Sequence, residues 1–566
     1  MHNVVINNVE VTANDDWTVL EAAKKAGFQI PTLCKMEGCA PLGACRVCMV
    51  EVEGMGRLQA ACSTPVSDGM VVSTSTPKVH AARRTVVELL LSEHEGLCPF
   101  CDRDTDCELR QVAGTLGIES NRYKGEKPTR KIDESKFSIY RDSGKCIKCR
   151  RCVEVCNEVQ GVGALFPQGR GFDTFIGPAF SRDLAEVTCV ECGQCAAVCP
   201  VGAIGEHRHI DEVRHALADS SKRVIVQTAP AIRAALGECF GYPPGSVVTG
   251  KMNAALRRIG FDNVFSTNFT ADLTIMEEAT ELLGRLTAAL RDGQETHLPL
   301  ITSCCPGWIN FAEATYADLL PYISTCKSPQ QMFGAVAKAY YAEREGVAPE
   351  DLVVVSVMPC TAKKGESARE DMRVDGVPDV DYVLTTRELA TMIRSVGLDF
   401  SALPSEEADM PFGMSTGAAD IFANTGGVME AALRTAYATV TGRPLPGENL
   451  HVVPIAGLQG VKEASVMLEN VLPEWSFLEG VEASVAVAHG LGNARTLIDG
   501  IGTGERNHIF IEIMACPGGC IGGGGQPRMT SDAVRKARIA SLVSVDEQKE
   551  LRGSHENPYV KTLYED

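Results

Sequence analysis

Apolar and polar positions alternate from the first residues of the chain. Val4 to Val11 reads VVI-NN-VEV, two β-type runs hinged at Asn7-Asn8, which predicts a hairpin. Thr18 then stands as the N-cap of VLEAAKKAG, a helix predicted to stop at Gly27. A further strand-like run spans Val47 to Val52, so the first 75 residues read as a small module of strands, one helix and a cysteine-bearing loop. TVVELLLS (Thr85–Ser92) predicts a short helix, and the polar stretch 122–136 predicts an exposed connection. From about residue 210 the pattern changes. Apolar runs at 223–227, 298–302, 351–358, 485–490 and 508–515 alternate with amphipathic helical stretches, which predicts an α/β body with largely parallel sheets. GLGNAR (490–495) follows a strand but lacks the third glycine of a dinucleotide fingerprint, and it predicts only a turn.

A chain of 566 residues accommodates three or four domains at roughly 150 residues each. With 45% hydrophobic and 22% charged residues, disorder and fibrous repeats are excluded. The net charge of −19 argues against nucleic acid or an anionic membrane surface as a partner, because both reward clustered positive charge. Leu352 to Met358 is typical of the longest apolar runs and falls far short of the ~18 residues that span a bilayer. MHNVVINNVE carries neither a basic nor an apolar leader pattern, so a cytoplasmic protein is expected.

Cysteine changes the picture. Sixteen of the 23 cysteines lie in the first 199 residues, and such tight spacings point to metal sites before disulfides. Cys34, Cys45, Cys48 and Cys62, spaced x10, x2 and x13, suit a 2Fe–2S cluster, with structural zinc the alternative that spacing leaves open. Cys39 lies in the same loop as a spare. His94, Cys98, Cys101 and Cys107 form H-x3-C-x2-C-x5-C, which fits either zinc or a 4Fe–4S cluster with one nitrogen ligand. CIKCRRCVEVC (146–156) and CVECGQCAAVC (189–199) both read C-x2-C-x2-C-x3-C, the two-cluster spacing in which each fourth cysteine serves the other cluster. That assigns Cys146, Cys149, Cys152 and Cys199 to one 4Fe–4S centre, and Cys189, Cys192, Cys195 and Cys156 to the other. Four closely strung redox centres make a wire, and nothing in this half says what chemistry the wire serves.

Three strand-like runs of the body end in cysteine. LPLITSCCPGW carries Cys304 and Cys305, VVVSVMPCTAKKGE carries Cys360, and IFIEIMACPGGCIGGGGQP carries Cys516 and Cys520. Functional loops gather at the carboxyl ends of parallel strands, so these distant cysteines are expected to converge on one buried site. Glycines at 518–519 and 522–525 let backbone approach a bulky cluster, since they carry no Cβ.

TSCCPGW (302–308), MPCTAKKGE (358–366) and EIMACPGGCIGGGGQP (512–527) resemble the three signature segments of the FeFe-hydrogenases, and the front half resembles the accessory-cluster region of their long, clostridial-type members. The resemblance covers essentially the whole chain. It implies a multidomain α+β and α/β protein: a β-grasp 2Fe–2S ferredoxin domain (1–78), a histidine-ligated 4Fe–4S domain (79–125), a two-cluster 4Fe–4S ferredoxin domain (126–208) and a large α/β catalytic domain (209–566). It implies 2Fe–2S at Cys34, Cys45, Cys48 and Cys62, and a histidine-ligated 4Fe–4S at His94, Cys98, Cys101 and Cys107. It further implies that Cys305, Cys360, Cys516 and Cys520 hold an H-cluster, a 4Fe–4S cubane joined through Cys520 to a diiron unit with CO, cyanide and a bridging dithiolate amine. The implied reaction is reversible, two protons and two electrons giving H2. Lys363 would pair with a cyanide, Met358 and Met514 would pack beside the diiron unit, and Ala229, Pro230, Pro359 and Gln330 would face the cofactor. Ala231 stands where some members carry serine. Cys304, Glu278, Ser324, Glu281 and Arg285 match the family's proton relay; Glu278, Glu281 and Arg285 share one helix face by spacing alone. Implied partners are ferredoxin or a flavin-containing, NAD(P)-binding subunit of an NAD(P)-linked or electron-bifurcating complex, together with maturation proteins.

Two alternatives compete. Residues 1–210 also resemble the large iron–sulfur subunit of respiratory NADH dehydrogenase, which would make the chain a non-catalytic electron carrier; the cysteine motifs after 300 speak against it. A catalytically silent relative in iron–sulfur assembly or H2 sensing is the other, and the presence of Cys304, Glu278 and Glu281 speaks against that. The electron partner, the direction of turnover, the oligomeric state and the roles of Cys39, Cys239 and Cys326 stay open.

Overall fold

A computed structural model describes residues 1–446, 460–502, 508–528 and 530–565. The chain forms two compact units. The first comprises 1–158, 163–187 and 198–205; the second comprises 159–162, 188–197 and 206–566. Cys189, Cys192 and Cys195 therefore belong to the second unit and Cys199 to the first.

In the first unit, His2–Ile6 and Val9–Ala13 form the expected hairpin, with Asn7 and Asn8 at φ of 45° and 69°. Asparagine tolerates that left-handed turn, whose twist suits a two-residue loop. The hairpin extends into a five-stranded sheet through Val71–Ser73, Met49–Val52 and Gln59–Ala60. Helix Val19–Lys25 packs Val19, Ala22 and Ala23 onto it. The Glu21 carboxylate accepts hydrogen bonds from the Thr18 backbone N–H and hydroxyl at 2.7 and 2.8 Å, and Gly27 (φ 85°) follows the helix end. The helix expected at Thr85–Ser92 is much longer, Pro77–Glu93. Thr76 caps it by accepting from the Val79 N–H at 3.2 Å. Its first half, PKVHAARR, is polar on most faces and buries only Val79 and Arg83, so apolar periodicity does not reveal it. The 122–136 connection is mostly irregular and ends in a two-residue strand, Ile132–Asp133, paired with Ile139–Asp142.

The second unit holds two four-stranded sheets. The first runs Asn263–Ser266, Arg223–Thr228, Leu352–Met358, Tyr382–Thr385, all parallel. Every residue of Leu352–Met358 is buried, as a central parallel strand covered on both faces requires. The second sheet runs Leu300–Ile301, Phe510–Met514, Glu482–His489 in parallel and closes with an antiparallel edge, Val461–Met467. Helix Asn268–Leu286 serves both cores: Phe269 and Leu273 pack with the first sheet, Ile275, Leu282 and Leu286 with the second. GLGNAR is not a plain turn. Gly490 (φ 79°) ends the strand and helix Leu491–Gly502 starts at once. Among the described residues, no helix is long and apolar enough to cross a membrane.

Candidate active site

The first unit gathers three candidate ligand sets. Cys34, Cys45, Cys48 and Cys62 are all buried. Hydrogen bonding from Cys45 and then Cys62 pulls the Cys34 thiol below its ordinary pKa, while Cys62 is pushed up by Cys34 and Cys48. Cys34 thus stands beside Cys45 and Cys62, and Cys48 beside Cys62. Cys39 faces Glu154 and Lys35 instead. His94, Cys98, Cys101 and Cys107 line one cavity together with Gly202, where a Cβ would overlap the Cys101 sulfur. The His94 Nδ1 lies 3.0 Å from the Lys145 carbonyl; as a donor there it would leave Nε2 free as a ligand atom. Burial lowers the pKa of His94, which favours the neutral ring. Cys146, Cys149, Cys152 and Cys199 line a second cavity with Ile147 and Ile176.

In the second unit, Cys305 and Cys360 follow closely on Leu300–Ile301 and Leu352–Met358, and Cys516 follows Phe510–Met514, so the carboxyl ends of strands from both sheets meet. Burial first, and then neighbouring sulfurs, raises the thiol pKa at three of these positions: Cys360 to about 12 beside Cys305, Cys516 beside Cys360, Cys305 and Cys520, and Cys520 beside Cys305 and Cys360. Cys305 is also raised by burial. Four thiolates this close in a dry interior need a strong positive countercharge, and a metal that binds sulfur provides one.

The glycine-rich loop packs backbone against backbone beside these cysteines. A Cβ at Gly525 would sit 3.0 Å from the Pro359 carbonyl, and one at Gly523 or Gly524 would overlap backbone at Pro359 or Cys192. Buried polar atoms of Ser328, Gln330 and Gln331 have no hydrogen-bond partner among the described residues, which suits residues that face a cofactor. The donor set and its surroundings fit the H-cluster. Met358 and Met514 are buried here, as are Ala229, Pro230 and Pro359.

The Lys363 ammonium donates to the Cys304 carbonyl at 3.1 Å and to both Glu366 oxygens at 3.0 and 2.8 Å. Burial would lower its pKa, but Glu366 outweighs burial and holds it charged. Gln330 donates to the Lys363 carbonyl and to Glu366. Glu366, three residues after Lys363 on the same short helix, is a site residue that sequence reasoning alone does not reveal. The segment 189–195 packs directly on this site. Thr361 donates to the Glu191 carbonyl at 2.7 Å, Gln194 donates to the Gly522 carbonyl at 2.9 Å, and a Cβ on Gly307 would lie 3.7 Å from the Cys192 Cβ.

A polar chain leads away from Cys304. Burial, and then the Glu278 carboxylate, pushes the Cys304 thiol well above its ordinary pKa. Glu278 is fully buried and burial raises it to about 7; the Ser324 hydroxyl and the Ser303 N–H offset this in part, without closing a hydrogen bond to either oxygen. Ser324 donates to Glu281 at 3.0 Å, and Arg285 donates to Glu281 at 2.6 Å and to the His297 carbonyl at 2.7 Å. Thus all five residues named from sequence fall on one path from the interior to a partly exposed arginine. Cys326 puts its sulfur 3.9 Å from the same Glu281 carboxylate. Cys239 lies apart, beside Arg394 at the edge of the first core.

Buried thiols clustered at strand ends, with three further cysteine-rich ligand sets in the first unit, are the donor sets of an iron–sulfur oxidoreductase. The chain belongs to the iron-only, or FeFe, hydrogenases: residues 222–524 match the iron only hydrogenase large subunit, C-terminal domain, and 532–566 match the iron hydrogenase small subunit. Residues 2–77 match a 2Fe-2S iron-sulfur cluster binding domain, 83–122 the NADH-ubiquinone oxidoreductase-G iron-sulfur binding region, and 145–203 a 4Fe-4S dicluster domain. The chain is 51% identical over its full length to NADP-reducing hydrogenase subunit HndD of Solidesulfovibrio fructosivorans, covering 95% of that protein. It is 39% identical, also over its full length, to iron hydrogenase 1 of Clostridium pasteurianum, covering 96% of it. A solved apo form of FeFe-hydrogenase HydA1 from Chlamydomonas reinhardtii matches with a TM-score of 0.57 at 44% identity, over 63% of this chain and 94% of that one. The protein is a hydrogenase with accessory iron–sulfur domains, and the electron-carrier alternative falls away.

Proposed function

We propose that Cys305, Cys360, Cys516 and Cys520 hold the H-cluster, and that Cys304, Glu278, Ser324, Glu281 and Arg285 carry protons between it and solvent. When bound, the H-cluster supplies the redox chemistry that joins two protons and two electrons into H2. The protein's own residues do the rest. Cys304 stays protonated because burial and Glu278 disfavour its thiolate, so it presents an S–H at the inner end of the path. Glu278, with a pKa near 7, exchanges a proton at neutral pH with little bias either way. Ser324 bridges to Glu281, and Arg285 steadies the outer carboxylate. Lys363, held charged by Glu366, offers a cation to the cofactor's cyanide. The buried Met358 and Met514 would line the diiron side of the cofactor, and Ala229, Pro230, Pro359 and Gln330 would shape its pocket.

Electrons arrive along four accessory clusters: 2Fe–2S at Cys34, Cys45, Cys48 and Cys62; 4Fe–4S at His94, Cys98, Cys101 and Cys107; 4Fe–4S at Cys146, Cys149, Cys152 and Cys199; and 4Fe–4S at Cys189, Cys192, Cys195 and Cys156. The packing of 189–195 against Thr361, Gly307 and Gly522 supports the last as the donor nearest the H-cluster. The physiological partner is a flavin-containing, NAD(P)-binding subunit, or a ferredoxin. The relative named as an NADP-reducing hydrogenase subunit supports the former. None of the cysteines is in a disulfide, which fits a reducing cytoplasm.

The observation that carries this reading is that the buried Cys304 stands close to both the buried Glu278 and the thiols of Cys305 and Cys520. Cys304→Ser should keep its iron and its infrared CO and cyanide bands while H2 turnover falls by on the order of 10² to 10⁴, the range of a lost proton-transfer group. Wild-type turnover with normal bands would overturn the path.

A further inference from the structure

Next to the Cys520 loop stand two buried polar side chains that the account above does not use. Asn424 is 1% exposed and Thr425 is fully buried, yet the amide Nδ2 and Oδ1 of Asn424 and the hydroxyl of Thr425 have no hydrogen-bond partner among the described residues. Leaving such groups unpaired in a dry interior forfeits their hydration with nothing in return, so a partner outside the described polypeptide is called for.

Their backbone fixes where they are. The Thr425 N–H donates to the Gly518 carbonyl at 3.1 Å, and the Ile521 N–H donates to the Ala423 carbonyl at 3.2 Å. The contact is so close that a Cβ on Gly519 would fall 2.6 Å from the Thr425 nitrogen and 2.9 Å from the Asn424 carbonyl carbon. Residues 423–425 are therefore clamped on both sides of Cys520. The helix that follows, Gly427–Thr441, offers no spare donors at its start, because the Glu512 carboxylate accepts from the Gly426 and Met429 N–H groups at 2.6 and 2.8 Å. On one side Cys520 packs against the apolar residues Ala231, Ala234, Ala423, Ile521 and Leu542, while Lys363 and Glu512 are the charged groups that act on it. The Asn424 amide and the Thr425 hydroxyl are thus buried polar groups beside the Cys520 loop with no hydrogen-bond partner among the described residues.

We propose that the Asn424 amide donates a hydrogen bond to the H-cluster on its Cys520 side, with the Thr425 hydroxyl as a second donor. The proposal rests on Cys520 being a cofactor ligand. A donor at this position withdraws electron density from the cluster and favours its reduced forms.

The test is infrared spectroscopy and redox titration of the full-length, matured protein. Asn424→Ala and the near-isosteric Asn424→Leu should keep full CO and cyanide band intensity, move the CO bands to lower wavenumber, and make the cofactor's midpoint potential more negative. Thr425→Val should move both in the same direction. Asn424→Ser, which keeps a donor, should move them less than Asn424→Ala. If the alanine variant fails to load cofactor, the serine and Thr425→Val variants decide by the same bands. Bands and potentials that stay at wild-type values, or that move the opposite way, would overturn the proposal and leave Asn424 paired with water only. Failure of the Cys520 assignment reads differently, as diiron bands of normal intensity in Cys520→Ser.

Discussion

The front and the body of this chain gather thiols in opposite ways. Cys146, Cys149 and Cys152 lie three residues apart on one short loop, and three of the four front ligand sets are complete within a local fold of modest size. In the body, Cys305, Cys360, Cys516 and Cys520 are scattered between positions 305 and 520 and meet only because strands of two sheets end at the same place. The lesson concerns what a lesion does. A change in a front loop should interrupt electron flow and little else. A change at a strand end in the body should damage the reaction centre, because the cofactor site is the meeting point of both cores.

The largest expected effect lies in the body. Cys520→Ser should abolish assembly of the diiron unit, and its CO and cyanide bands should vanish from the infrared spectrum while the front clusters' absorbance persists. Bands of normal intensity would contradict the ligand role.

Next comes Glu278→Gln, which should lower H2 turnover by on the order of 10²-fold with the bands intact. Its pH signature is separate from activity. Glu278 holds its proton up to about pH 7 in the folded protein against 4.5 for an ordinary glutamate, so the folded state binds the proton more tightly than the unfolded chain. Wild-type stability is therefore lost progressively from about pH 4.5 to pH 7 and the penalty is complete above that, with a ceiling on the order of 3 kcal/mol. The glutamine variant escapes this penalty. Its melting temperature relative to wild type should rise across that window and level off above it; a difference that does not change with pH would refute the buried, raised carboxyl.

The smallest effect on chemistry belongs to the front. Cys149→Ala should leave H2 evolution from reduced viologen nearly unchanged per assembled H-cluster, while exchange with a protein electron partner slows. Equal losses with both donors would blur the distinction between wire and reaction centre.

How much of this was legible in the sequence follows the same division. The repeated C-x2-C-x2-C-x3-C spacing names its own ligands, and the cavity that Cys199 shares with Cys146, Cys149 and Cys152 has the composition such spacing implies. The hairpin at Asn7-Asn8 and the helix after Thr18 were also plain, because turn and capping residues act locally. Strands such as Leu352–Met358 announced themselves by continuous apolar runs. The short edge strands Asn263–Ser266 and Tyr382–Thr385 do not, because four residues carry little periodicity of their own and their pairing partners lie far away in sequence. The first half of helix Pro77–Glu93 escaped for a related reason, since its inward face is only Val79 and Arg83. In the site, helical spacing puts Glu278 on one face with Glu281 and Arg285 but only the family resemblance gives it a role, and its full burial has no sequence signal, because that arises where two cores share one helix. Glu366 and Asn424 carried no signal of their own; their importance lies entirely in what packs around them.

The most direct test of the account removes residues 1–208. All four proposed H-cluster thiolates and the whole proton path remain, but the cut uncovers Thr361 and Gly524, which pack against 191–193 in the intact protein. Lower yield is therefore expected and is set aside by normalising to the CO and cyanide bands. The measurement is H2 evolution from reduced viologen per assembled cofactor. The account expects a rate close to that of the full-length protein; a truncated protein that carries the cofactor's bands and yet evolves no H2 would contradict it.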